Sequence, residues 1–392
     1  MNFWRDVVTA RERERFICSV NFSSVQRPQR VLLVVLRGTA VGVAATLLWR
    51  VFATADTHRV AALVTSVGVF GVVLVLCPQL AALGFESLGW QRAFRAGGAR
   101  PRFRSLLRVR LATEALAQSL PVGVAFAEST KPILLAKHCG LSVDQSVAGM
   151  AARKVLLLLA QSLYVGGLAA LGFAGLEAAS RAVIGAPHLG LLTLGAALVL
   201  ATGGVGSALL LRESALAKTA FSLIERVPSA RVRAWLDAKR RVFFATDNAV
   251  SALFRVPPQR LAGALACFAC GWLMESLETW LILSVLGAPV SFVTAGSLEV
   301  ILSLVRNVVF VVPAGLGVQD LGYAACFAAL GVPEAASLGA AFVLLKRGKE
   351  LFWIAFGYAL LAGDFGVLSA RRDAASTPPP APAVARLRPA RA

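Results

Sequence analysis

The chain has 392 residues, 57% of them apolar and only 16% charged, with a mean hydropathy of +0.71. A water-soluble domain of this length carries about a quarter charged residues, so an ordinary soluble enzyme is excluded. The formal net charge of +19 raises nucleic acid as a partner, but no soluble binding module accompanies it and its placement points to membrane topology instead.

Taken in chain order, residues 1–30 hold six Arg and lack the apolar core of ~7–15 residues that a signal peptide needs. They read as a basic cytoplasmic segment. Apolar stretches follow at 31–52, which contains Arg37, and at 60–85, which contains no charge. Residues 87–110 then hold seven Arg. Further long apolar stretches run over 145–176, 186–211, 259–286 and 335–363. Each reaches the ~20 residues that cross a bilayer. A β-barrel would instead show short alternating segments.

Two more apolar stretches, 106–138 and 292–331, are each interrupted near the centre by Pro-x-Gly, at Pro121 and Gly123 and at Pro313 and Gly315. Proline ends one helix and glycine permits the turn into the next, so each stretch reads as two half-helices. Between the last two pairs of spans, residues 212–260 hold ten Lys or Arg. Trp235, Phe243 and Phe254 alternate there with Arg231, Lys239 and Arg240. Residues 212–257 suit an amphipathic helix at the membrane surface, or equally a loop helix packed on the protein. Residues 365–392 carry five Arg and five Pro and are expected to be disordered.

The four basic segments together hold 28 Lys and Arg, whereas 50–60, 177–188 and 287–294 hold two, one and none. Basic loops stay cytoplasmic, which predicts a multi-pass protein of the cell inner membrane with both termini inside. Six crossings satisfy this parity only if both broken stretches are re-entrant hairpins, the first entering from the cytoplasm and the second from outside. The predicted fold is an all-α polytopic membrane protein, with six transmembrane helices plus two re-entrant broken-helix hairpins. Its domain, 31–364, lies between the basic segment and the tail.

The two hairpins form an internal repeat. Pro121-Val-Gly-Val-Ala-Phe-Ala-Glu128 matches Pro313-Ala-Gly-Leu-Gly-Val-Gln-Asp320 in proline, glycine and terminal acid; Gly140 and Gly331 follow, then Arg153-Lys154 and Lys346-Arg347. Copies in opposite orientation make an inverted repeat, whose broken helices meet near the bilayer midplane.

Charges at that depth cost about 2.5–3.5 kcal/mol each on insertion scales and need partners, water or a ligand. The candidate substrate-binding residues are Glu128, Lys131, Arg153, Arg306, Asp320, Lys346, Arg347 and Glu350, with breaks at Pro121, Gly123, Pro313, Gly315 and Gly317. Glu128 and Asp320 also suit the first turn of a helix restarting after the break, where a carboxylate favours the N-terminal dipole. Arg153 and Lys154 suit snorkelling as well as substrate contact. Helix N-termini beside several cations favour a phosphate-bearing ligand. The six cysteines lie mostly in apolar runs and the three His are scattered, so no metal site is expected. No G-x-x-x-x-G-K-[ST] loop occurs, and no cofactor is expected.

At Pro313 to Asp320, Leu330-Gly331 and Lys346-Arg347, and at Pro121 to Glu128 with Lys131, the chain resembles a known family. It is the flippase-like membrane domain of lysylphosphatidylglycerol synthases and of stand-alone bacterial and archaeal proteins. The resemblance covers about residues 30–364 and implies lipid translocation, with hopanoid- and polyprenyl-linked relatives in the wider group. Asp320 stands where that family usually has glutamate, Val124-Ala125 replaces a more glycine-rich turn, and no aminoacyl-transfer domain follows. The expected function is therefore flipping of an anionic or phosphate-bearing lipid between leaflets, without enzymatic activity. The partners are a membrane lipid and, by implication, lipid-biosynthesis enzymes. A membrane-embedded lipid transferase or phosphatase, and a non-transporting partner of a lipid or hopanoid pathway, are the alternatives.

Overall fold

A computed structural model describes residues 42, 46–96, 98–120, 123–213, 222, 244, 247–252, 254–288, 290–308, 315–329, 332 and 334–376. The basic segment 1–30, most of 31–52 with Arg37, Pro121, Pro313, most of 212–257 and the stretch 377–392 lie outside the described residues. All regular structure among the described residues is helical. The helices that build the site are α1 (Thr57–Ser66), α2 (Gly68–Ala96), α3 (Phe103–Ser119), α4 (Gly123–Cys139), α5 (Val143–Leu171) and α6 (Phe173–Ile184), followed by α7 (Leu189–Arg212), α8 (Pro258–Val285), α9 (Phe292–Val308), α10 (Val318–Ala329) and α11 (Ala335–Ser376).

Local chemistry sets the ends of these helices. The Asp56 side chain accepts hydrogen bonds from the His58 and Arg59 backbone N–H groups and starts α1. Gly68, at φ +60°, ends α1, so the predicted stretch 60–85 is two helices rather than one. Ser142 and Gln145 form a reciprocal capping box at the start of α5. At the other end of the chain α11 runs on to Ser376, well into the segment expected to be irregular. No proline interrupts it before Pro378, so no residue forces the helix to stop earlier.

Among the described residues four helices, α2, α5, α7 and α8, are long and apolar enough to cross a membrane. Their outward residues include Val69, Phe70, Leu191, Leu198, Val199 and Leu209, a pattern that suits lipid rather than water. α11 has the length but carries Lys346, Arg347, Lys349 and Glu350.

Small residues bring the helices close. Gly89 of α2 faces Cys267 and Phe268 of α8, and Gly271 of α8 faces Ala82 and Glu86 of α2. Gly357 of α11 crosses the Leu111 carbonyl of α3, while Gly296 of α9 meets Leu168 of α5. α3 thus rests on α11, and α9 on α5. One core gathers Trp90, Phe94, Leu106, Leu134, Leu135 and Phe268; a second gathers Ile282, Leu283, Tyr323, Phe327 and Phe342. Trp90 Nε1 donates to the Gly149 carbonyl at 2.8 Å, tying the end of α2 to the start of α5.

Candidate functional site: a charged cavity between two broken helices

Both predicted breaks are present as pairs of half-length helices, α3 with α4 and α9 with α10. At the first, the Gly123 N–H donates to the Leu120 carbonyl at 2.8 Å. A Cβ there would sit 2.3 Å from the Leu116 carbonyl oxygen, so only glycine lets α4 begin against the end of α3. At the second break, Gly315 and Gly317 take φ of +61° and +79°, the left-handed region that side chains disfavour.

The helices restart differently after these turns. α10 begins at Val318 with Asp320 in its first turn, and Asp320 Oδ2 accepts from the Gly317 N–H at 2.8 Å. That is the dipole-facing position expected of it. α4 begins at Gly123, which places Glu128 beyond the first turn. The capping expectation for Glu128 is therefore corrected: its restart follows the proline more closely, so the same offset falls deeper into the helix.

Glu128 is instead an ion-pair centre. Its Oε1 lies 2.6 Å from Lys131 Nζ and 2.9 Å from Lys154 Nζ. Beside it, Glu86 Oε2 on α2 receives Arg153 Nη2 at 2.7 Å and Arg110 Nη2 at 2.8 Å, and Arg110 also reaches Glu114 at 3.0 Å. Lys131, Arg110 and Arg153 are buried, and each is compensated by a carboxylate, as charges at this depth require.

The second half repeats the pattern. Arg347 Nη2 holds Asp320 Oδ1 at 2.8 Å and Arg347 Nη1 reaches Glu350 at 2.5 Å. Lys349 Nζ lies 2.8 Å from both oxygens of Glu278, and Lys346 Nζ lies 3.5 Å from Glu278 Oε1 and 3.3 Å from Glu299 Oε2. Arg306 donates to Glu275 at 2.6 Å. Glu86 and Glu278 are separated by the same number of residues as Gly123 and Gly315, and as Glu128 and Asp320. The repeat thus includes the carboxylates that receive the basic pairs, Arg153 on Glu86 and Lys346 on Glu278.

A cavity of about 380 Å³ lies between the two halves. Gly123, Glu86, Arg110, Glu114, Glu128, Lys131, Arg153 and Lys154 line it from one side; Gly315, Glu275, Glu278, Arg306, Lys346, Lys349 and Glu350 line it from the other. Of the candidate residues read from the sequence, Glu128, Lys131, Arg153, Arg306, Lys346 and Glu350 are brought together on this wall. Asp320 and Arg347 do not line it and pair behind it. Gly317 belongs to the turn beside Gly315, while Pro121 and Pro313 fall outside the described residues.

Sequence reasoning missed Glu86 and assigned Arg110 to a cytoplasmic basic run. The signal that finds Glu86 is its spacing from Pro121, which equals that of Glu278 from Pro313. Glu299 and Lys349 are also drawn into the networks. Among the described residues no cluster of His, Cys, Asp and Glu is arranged to hold a metal ion.

No curated protein and no solved structure matches the chain. One family model does, that of the lysylphosphatidylglycerol synthase TM region, over residues 35–354. The match takes in both breaks, the charged residues of the cavity and the helices α2, α5, α7 and α8. The chain is a multi-pass helical membrane protein and belongs to the lysylphosphatidylglycerol synthase TM region family.

Proposed function

We propose that the protein moves a phosphate-bearing lipid between leaflets, the headgroup passing through the charged cavity while the acyl chains stay in the bilayer. The observation that carries this reading is the cavity itself, a space of about 380 Å³ lined by many charged side chains and set among helices whose outer faces are apolar. A headgroup crossing hydrocarbon loses its hydration, and a corridor of fixed charges replaces that hydration at lower cost. Arg110, Lys131, Arg153 and Lys154 on one wall supply donors for phosphate, with Arg for bidentate contact. The acids between them keep the empty cavity near neutrality. The family's name, which ties this region to a synthase of a phospholipid, supports a lipid ligand.

In this reading the chain is a transporter and not an enzyme. It lies in the cell inner membrane with both termini cytoplasmic. Six spans cross the bilayer, and α3–α4 and α9–α10 enter from opposite sides as an inverted repeat. The test is purified protein in liposomes carrying fluorescent phospholipid, with dithionite quenching of the outer leaflet. Loss of leaflet asymmetry with unchanged lipid mass is the expected result. A change of lipid mass would favour a transferase or phosphatase, and unaltered sidedness with every phospholipid tried would leave a non-transporting role.

A further inference from the structure

Glu299 on α9 is wholly buried, and the reading above does not use it. Its hydrogen bonds are lopsided. Tyr323 Oη donates to Oε2 at 2.5 Å, Thr279 Oγ1 donates to the same oxygen at 2.7 Å, and Lys346 Nζ lies 3.3 Å from it. Oε1 has no hydrogen-bond partner among the described residues. A carboxylate carries charge on both oxygens, and burying one of them unsatisfied is costly. Protonation of the carboxyl removes that charge, and a neutral buried group costs less than a charged one.

The cation opposite is shared between two acids and lies over the Tyr323 ring, with Nζ 4.9 Å from the ring centroid. Lys349 sits 2.8 Å from both Glu278 oxygens, whereas Lys346 is shared at 3.3 and 3.5 Å between Glu299 and Glu278. Lys346 also lines the cavity, and Glu299 does not. By the spacing that relates Glu86 to Glu278, Leu107 stands at the position equivalent to Glu299, so the first half has no carboxyl there. The basic pair of that half, Arg153 and Lys154, is held on Glu86 and Glu128 at 2.7 and 2.9 Å, closer than Lys346 is to either of its carboxylates.

We propose, resting on the transport reading, that Glu299 is a proton-binding site whose proton exchanges against Lys346. Uptake of one proton by Glu299, relayed by Lys346 Nζ, which takes a replacement proton from cavity water, neutralises the carboxylate and releases the Lys346 ammonium to a phosphate group in the cavity. Loss of the phosphate returns Lys346 to Glu299, and the proton leaves to water. The headgroup and one proton then travel together, so a proton gradient drives the lipid. The charged and titratable groups facing Glu299 are Glu275 and Glu278 of α8, Tyr323 of α10, Lys346 of α11, Tyr164 of α5 and Arg306 of its own helix. Of these, Lys346 alone touches both Glu299 and the cavity wall among the described residues.

The test combines infrared spectroscopy with transport, both on full-length protein in phosphatidylcholine bilayers. Lys346→Gln mimics release of the lysine and should raise a protonated-carboxyl C=O band near neutral pH. That band should vanish in Lys346→Gln with Glu299→Gln. Tyr323→Phe, which removes a donor to the carboxylate, should move the carboxyl's titration up by about one pH unit. In liposomes an inward-acid gradient should speed lipid movement several-fold in the wild type, and Glu299→Gln should remove that response. A Lys346→Gln protein without the band, or a wild type and Glu299→Gln with the same response to the gradient, overturns the proposal. The infrared arm reads Glu299 whether or not lipid moves. A band dependent on Glu299 beside motionless lipid would overturn the transport reading and with it the coupling, leaving proton binding established.

Discussion

Arg153 donates to Glu86 at 2.7 Å across the gap between α5 and α2, and this pair anchors the first half of the cavity. Glu86 receives Arg110 on the same oxygen, so one carboxylate compensates two buried guanidinium groups. Removing it leaves two cations to share Glu114 and solvent. Breaking a buried pair from one side costs about 3–5 kcal/mol, because the remaining charge stays desolvated. Glu86→Gln should therefore lower the thermal unfolding temperature in detergent and reduce folded yield. Unfolding indistinguishable from wild type would show that water compensates the arginines.

Lys154 separates transport from stability. Its side chain is 49% exposed and faces the cavity beside Glu128, where Lys131 already provides a closer partner. A half-exposed pair of this kind contributes about 0.2–1 kcal/mol. Lys154→Gln should leave unfolding nearly unchanged while slowing lipid flipping several-fold, as measured by dithionite accessibility. Equal rates for variant and wild type would remove Lys154 from the headgroup path.

Arg347 and Asp320 pair behind the cavity, and the prediction there is structural. Arg347→Gln should destabilise, because among the described residues Asp320 is left buried with a charge that only the Gly317 N–H answers. Adding Asp320→Asn removes that charge and should recover most of the lost stability, a coupling visible in a double-mutant cycle of unfolding temperatures. Additive losses would mean that the two side chains do not act as a pair.

The breaks make a further prediction. Gly315→Leu and Gly317→Leu place side chains at positive φ, at about 1–2 kcal/mol each, and move the turn that ends at the cavity wall. Membrane insertion should survive while transport falls. Gly123→Ala should be worse for folding than Gly315→Leu, since its Cβ meets backbone of the preceding helix, whereas a Cβ at Gly315 meets the Gln319 side chain, which can turn aside. Insertion is followed by membrane fractionation and folding by size-exclusion profiles.

Topology is testable by single cysteines on a background without the six native ones. Labels at positions 98 and 256 should be reachable only from the cytoplasm, and labels at 186 and 291 only from outside. Outward labelling at 98 or 256 would reverse the proposed orientation of both hairpins.

Much of this protein was written in one dimension. Loss of charge over 60–85, 155–176 and 186–211 identifies apolar helices without reference to any neighbour, because hydrocarbon selects each residue separately. Proline and glycine act on their own backbone, so the half-helices of α3–α4 and α9–α10 were legible too, as was the family. The ion pairs were not. Whether Arg153 meets Glu86 or solvent depends on how α5 is rotated against α2, and that rotation is set by contacts such as Gly149 under Phe94 and Trp90 on the Gly149 carbonyl. For the same reason Asp320 and Glu128, alike in sequence, part company: one caps a helix that restarts late, and the other turns to two lysines on a helix that restarts at once. Spacing along the chain chooses which residues are equivalent, but the direction of a side chain in a packed bundle is decided by its neighbours, and only the tertiary structure supplies those.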